Sequence, residues 1–177
     1  MRPLILNIAM SLDGFIARTD GSYDWIEGHG TKVYDTALQF DNNAFFASCD
    51  TIVMGRKSLD DCPIEQIQDY QKKSFYVASH QALKSDYPNL SFSKDIVATL
   101  KKLKQEEGGP IWLFGGADLV HSVLEVDLID QYIIGIIPVI LGQGRPLFKT
   151  CSVEHQLQLI ESTVTDGIAM LRYQKRP

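Results

Sequence analysis

A chain of 177 residues with 45% hydrophobic and 22% charged residues and a formal net charge of -5 has the make-up of an ordinary soluble globular protein. Its length is near the roughly 150 residues of one domain, so a single domain over residues 1–177 is expected. The acidic balance argues against a nucleic-acid surface, although a small phosphate-bearing ligand needs only one or two well-placed cations.

The first apolar run, Leu4 to Met10, is too short for a membrane span and is interrupted by Asn7, so the sequence predicts a cytoplasmic chain without a membrane partner. It reads as a strand over 3–9, mostly apolar and therefore central in a sheet. A loop rich in Gly, Asp and Ser follows from Ser11 to Gly30. Connections of that length are usually functional or disordered, and Phe15, Ile16, Trp25 and Ile26 favour a packed, functional one. Residues 31–47 read as a helix capped by Thr31, with Val33, Ala37, Phe40, Ala44 and Ala47 at helical spacing. Strands are predicted over 51–54 and 74–78, and an amphipathic helix over 93–105 that stops at Gly108-Gly109-Pro110. Between them the three cysteines, Cys49, Cys62 and Cys151, and the four histidines lack disulfide or zinc spacing, so no metal is expected.

The run Ile111-Trp112-Leu113-Phe114 breaks at Gly115-Gly116 and resumes with helical spacing at Ala117-Asp118, which reads as a buried strand turning into a helix. Two adjacent glycines there admit a ligand close to the backbone, and the first helical amides attract anions. A tight turn without a ligand is the alternative. Residues 131–141 form another β-branched strand, and two strand-like runs, 156–163 and 168–174, flank Asp166-Gly167, a hairpin pair that tolerates positive φ. Alternating strands and helices closed by this hairpin predict a three-layer α/β fold. Its mostly parallel mixed sheet carries helices on both faces and ends in a C-terminal antiparallel hairpin.

In open α/β sheets ligands gather beyond the carboxyl ends of the strands, and three strands here end in Gly55-Arg56-Lys57-Ser58, Ser79-His80 and Gly115-Gly116. Gly55 allows a close backbone approach, while Arg56, Lys57 and Ser58 supply two cations and a hydroxyl, the donor set of a phosphate site or of a solvated helix start. Asp50 stands where a P-loop requires glycine, and Gly142-Gln143-Gly144 comes too late and too near Pro146 for a Rossmann turn.

The stretches 9–17, 50–58, 114–117 and 137–148, the last containing Pro138-Val139-Ile140-Leu141-Gly142-Gln143-Gly144-Arg145-Pro146-Leu147-Phe148, resemble the dihydrofolate-reductase-like superfamily. Nearest in pattern is the reductase domain of the bifunctional riboflavin-biosynthesis deaminase-reductase. The resemblance implies an NADPH-dependent reductase acting on a small heterocyclic or ribosylamino-pyrimidine substrate. It also implies that backbone groups of Ala9 and Ile16 meet the nicotinamide, and that Arg56, Lys57 and Ser58 take cofactor phosphates. Ser79 and His80 would lie near the adenosine 2′-phosphate, and Gly115, Gly116, Ala117 and Asp118 around the pyrophosphate. By the same resemblance the Gly115–Gly116 peptide is expected to be cis, and a homodimer is expected through the C-terminal strands, motivated by Ile133, Ile134, Ile136 and Ile137. The zinc signature of the deaminase half does not occur in the sequence, and Asp35 and Asp41 do not match the carboxylate of folate reduction. Asp13 is the acid nearest the nicotinamide end, either a catalytic group or a turn residue beside Gly14. A non-catalytic NADPH sensor is the competing reading.

Overall fold

The computed structural model describes residues 1–81 and 83–176. The chain order is β1 (Leu4–Ser11), β2 (Phe15–Ala17), α1 (Asn42–Ser48), β3 (Thr51–Gly55), α2 (Arg56–Asp61), β4 (Ser74–Ala78) and β5 (Leu90–Ser93). There follow α3 (Ile96–Leu103), β6 (Ile111–Gly115), α4 (Ala117–Leu124), β7 (Gln131–Ile137), β8 (Arg145–Pro146), β9 (Leu157–Thr165) and β10 (Ile168–Lys175). Eight strands form one sheet in the order β5-β4-β3-β6-β1-β7-β10-β9. The first six run parallel, and β10 turns antiparallel against β7 and pairs antiparallel with β9.

Alternation along β1 sorts its side chains onto two faces. Leu4 and Leu6 enter a core with Val53 and Leu113, closed by Ile96, Leu100 and Leu103 of α3 and by Leu119, Val120 and Val123 of α4. Ile5 enters the opposite core with Ile52, Met54, Phe75 and Trp112, closed by Phe45 of α1 and by Ile64. Helices thus cover both faces of a mixed, mostly parallel sheet, as the sequence predicts.

Three elements depart from expectation. Residues 31–40 form no helix, and α1 begins only at Asn42, where the carboxylate of Asp41 accepts from Ala44 N at 2.9 Å. The segment before it is pinned to the C-terminal hairpin. Thr36 N donates to Val164 O at 3.0 Å, and Asp35 accepts from Asp166 N at 2.6 Å. Residues 90–93, partly assigned to a helix in sequence, are the edge strand β5, and α3 starts later behind its Asp95 cap. The late apolar strand ends at Ile137 rather than Leu141.

Polar clamps hold the amino-terminal ends of the parallel strands. Arg2, 6% exposed, donates to Gly109 O at 2.7 Å and Thr51 Oγ1 at 2.7 Å and pairs with Asp50. Asp50 in turn accepts from Gly109 N at 2.7 Å, so the entries to β1, β3 and β6 are tied together. Lys104, 5% exposed, pairs with Asp130, whose carboxylate also accepts from Leu4 N at 2.7 Å.

Candidate active site

At the opposite, carboxyl ends of the parallel strands lies a cleft of about 1520 Å³. Asn7, Ile8 and Ala9 of β1 form part of its floor, with Ile16 of β2 beside them. Gly55, Arg56, Lys57 and Ser58 enter from the β3–α2 turn, Ser79 and His80 from the end of β4, and Gly116, Ala117 and Asp118 from the β6–α4 turn. Strand ends far apart in sequence therefore meet on one rim.

The two turns approach each other at glycines. Gly55 has φ -76° and would place a Cβ 3.6 Å from Gly115 O, while Gly116 would place one 3.1 Å from Ser58 Oγ. Gly115 at φ +120° and Gly116 at φ +49° and ψ 150° occupy backbone regions that side chains disfavour. The expected cis bond between them is not found: the described residues contain no cis peptide, and the kink comes from these two positive φ angles. Neither α2 nor α4 has a side chain capping its first amides, which leaves those donors facing the cleft end of the sheet.

The charges on the rim are partly engaged. Arg56 pairs with Asp60 one turn along α2. Asp118 pairs with Lys149, and that hydrogen bond holds the Asp118 carboxyl below its ordinary value. An acidic residue at the start of α4 is thereby balanced by a cation that sequence reading did not single out. Lys94 and Arg145 also line the cleft, Arg145 beside Asp61 at 3.6 Å. The Ser79 hydroxyl accepts from Gln81 N at 3.2 Å and shapes the local turn.

Asp13 does not line the cleft. Its carboxylate accepts from Ser11 Oγ at 2.6 Å, Leu141 N at 3.1 Å and Gly142 N at 2.7 Å, and these bonds, led by Ser11, lower its pKa. This geometry makes it a brace between two loops. His121, Glu125 and Cys151 bring ligand atoms within 4.8 Å of one another, but both Glu125 oxygens already accept from Ser152, at 2.9 and 2.6 Å. The cysteines are unpaired.

Away from the charged rim the cleft is aromatic. Phe46 stacks on Trp112 with centroids 4.8 Å apart, and Phe114 lies 5.1 Å from Trp112, beside Asn7 and Met170. Of the four isoleucines that motivated a dimer, Ile133 at 1%, Ile134 at 5% and Ile137 at 2% exposure are buried and Ile136 is half-buried, because β7 is flanked by β1 and β10.

The family model of the RibD C-terminal domain matches residues 2–63 and 59–170. The chain belongs to the RibD C-terminal domain family. An uncharacterized member-like relative, YwjB of Bacillus subtilis (strain 168), is 37% identical over 163 residues, 89% of either chain. The solved structure of a riboflavin biosynthesis protein from Shewanella sp. PV-4 superposes with a TM-score of 0.75 at 27% identity, covering 99% of both chains. Dihydrofolate reductase from Enterococcus faecalis, solved with NADP(H), gives a TM-score of 0.65 over 99% of this chain and 97% of that one. At 12% identity it shares the fold alone. Membership of the RibD C-terminal domain family supports a reductase-type function. No helix among the described residues is long and apolar enough to cross a membrane.

Proposed function

We propose that residues 1–177 form one cytoplasmic reductase domain that binds NADPH along the rim and reduces a small heterocyclic or ribosylamino-pyrimidine substrate. The reaction would be similar to that of 5-amino-6-(5-phosphoribosylamino)uracil reductase. The observation that supports this reading is the glycine cradle: Gly55 lies beside Gly115 O, Gly116 lies beside Ser58 Oγ, and both glycines line the cleft where a phosphate has to approach. The donor set fits such a group: uncapped amides at Gly116 and Ala117, the Ser58 hydroxyl, and Arg56 and Lys57 on the same rim.

In this reading Arg56, Lys57 and Ser58 hold phosphate oxygens, with Gly115, Gly116 and Ala117 around the pyrophosphate and Ser79 and His80 near the adenosine 2′-phosphate. Lys149 neutralises Asp118, so that the carboxylate does not repel the ligand. Backbone groups of Ala9 and Ile16 orient the carboxamide of the nicotinamide, and the aromatic wall excludes water from the face where reduction occurs. The cofactor supplies the hydride. The reading includes a homodimer, for which β9 is the edge strand at the C-terminal side of the sheet and exposes Leu159 and Ile160.

The test is calorimetric titration with NADPH and NADH, followed by NADPH oxidation assays with reducible pyrimidines and pterins. Preferential NADPH binding with turnover supports the reading. Binding without turnover on any such substrate favours the sensor alternative, and failure to bind either cofactor overturns both.

A further inference from the structure

One polar side chain in the cleft is unexplained by the fold. Asn7 is 8% exposed, lines the cleft, and its Nδ2 has no hydrogen-bond partner among the described residues. Leaving a buried amide donor unpaired is destabilising, so such a group signals a missing partner. The main chain does not need this side chain: Trp112 Nε1 donates to the Asn7 backbone carbonyl at 3.0 Å, which fixes the indole whatever residue stands at position 7.

Alternation along β1 puts Asn7 on the same face as Ile5, the face of Trp112 and of the aromatic wall. Phe46, Trp112 and Phe114 form a row of rings, with Phe46 and Trp112 inclined by 29°. On the other side β1 pairs with β7, where Ala9 is opposite Gly135, and the sulfur of Met170 fills the space a Gly135 side chain would take. The wall around Asn7 is thus apolar and polarizable, with Phe114 inclined by 53° to Trp112. A flat, uncharged ring fits it, because a charged one would be desolvated there without a counter-ion.

A carboxamide carries a donor and an acceptor side by side in one plane, and its complement is a ring edge bearing N–H beside C=O. We infer that Asn7 is the substrate-specificity residue of this cleft, reading the lactam edge of a neutral oxo-heterocycle held against Trp112 and Phe114. The inference rests on the reductase reading above and extends it to the kind of ring that is recognised.

The experiment uses the full chain saturated with NADP+, with lumazine as the lactam probe and 1,3-dimethyllumazine, which lacks the ring N–H groups, as its control. Binding is followed by quenching of tryptophan fluorescence and by calorimetry. The parent protein should bind lumazine at least tenfold more tightly than the dimethyl derivative. Asn7→Leu and Asn7→Asp should weaken lumazine by about 10- to 100-fold, the loss of two buried hydrogen bonds, and abolish the discrimination. NADPH affinity should stay within about twofold. Asn7→Leu should also melt about 2 to 8 °C above the parent, since it removes an unpaired buried amide, and a purely structural Asn7 would show the reverse. Equal lumazine binding by parent and Asn7→Leu overturns the inference, as does a parent that binds no lumazine, or a variant that loses NADPH affinity instead. Failure of the parent to bind NADPH at all identifies the reductase reading as the one at fault.

Discussion

Replacing Gly116 by Ala probes the junction on which the candidate cofactor site depends. At φ +49° and ψ 150° the backbone lies in a region that costs a residue with a side chain about 1 to 3 kcal/mol. The added methyl would also stand 3.1 Å from Ser58 Oγ, and the hydroxyl can move away by a few tenths of an ångström, so the backbone term dominates. A loss of about 2 kcal/mol corresponds to a fall of about 4 to 8 °C in melting temperature for a chain of this size. The matched control is Gly55→Ala, because φ -76° suits alanine and the nearest atom is 3.6 Å away. Its stability should lie within about 0.5 kcal/mol of the parent or slightly above it. Urea and thermal unfolding measure both, and calorimetry then separates folding from binding. Gly55→Ala should lose NADPH affinity although its fold is intact. A Gly116→Ala protein as stable as the parent would refute the backbone argument, and a Gly55→Ala protein that binds NADPH normally would refute the cradle.

Arg56→Ala should erase most of the preference for NADPH over NADH, at about 1.5 to 3 kcal/mol, and equal affinities for the two cofactors in the parent protein would contradict this. The Asp13 carboxyl has its folded-state pKa below the ordinary 3.8, so its contribution to stability is present above that value and lost as pH falls through the lowered one. Asp13→Asn should therefore flatten the acid limb of the stability profile below about pH 4, which acid titration of unfolding would show. Leu159→Lys places a charge on the exposed β9 edge and should convert a dimer to monomer by light scattering, whereas a parent already monomeric at micromolar concentration would remove the dimer from the reading.

Where local chemistry decides conformation, the sequence was sufficient. Asp166 and Gly167 have φ +51° and +79°, the pair of positive angles that a two-residue hairpin needs, and β9 and β10 flank them. Residues 31–40 were misread because their order comes from elsewhere. Val33 is 78% exposed despite its helical spacing, and the segment is held by Thr36 and Asp35 bonding to the distant hairpin. The site divides in the same way. Gly55, Arg56, Lys57, Ser58 and Gly116 were legible because each sits at a strand end beside a glycine. Lys149 and Phe46 were not, since their place depends on how the chain returns across the rim. Asn7 leaves a signal in the sequence, a polar residue inside an otherwise apolar strand.

The clamps formed by Arg2 with Asp50 and Lys104 with Asp130 sit at one end of the sheet and the cleft at the other. Loops at the cleft end are thereby released from responsibility for strand order, because the entries to β1, β3 and β6 are fixed without them. On the proposed reading, mutations that remodel the aromatic wall or the residue at position 7 change which ligand the cleft accepts while the sheet keeps its register. The clamp end tolerates less drift: removing Asp50 or Asp130 leaves the buried Arg2 or Lys104 without its counter-charge. Divergence among proteins of this architecture should accordingly concentrate at the carboxyl ends of the strands, where new specificity can be acquired without first solving the folding problem again.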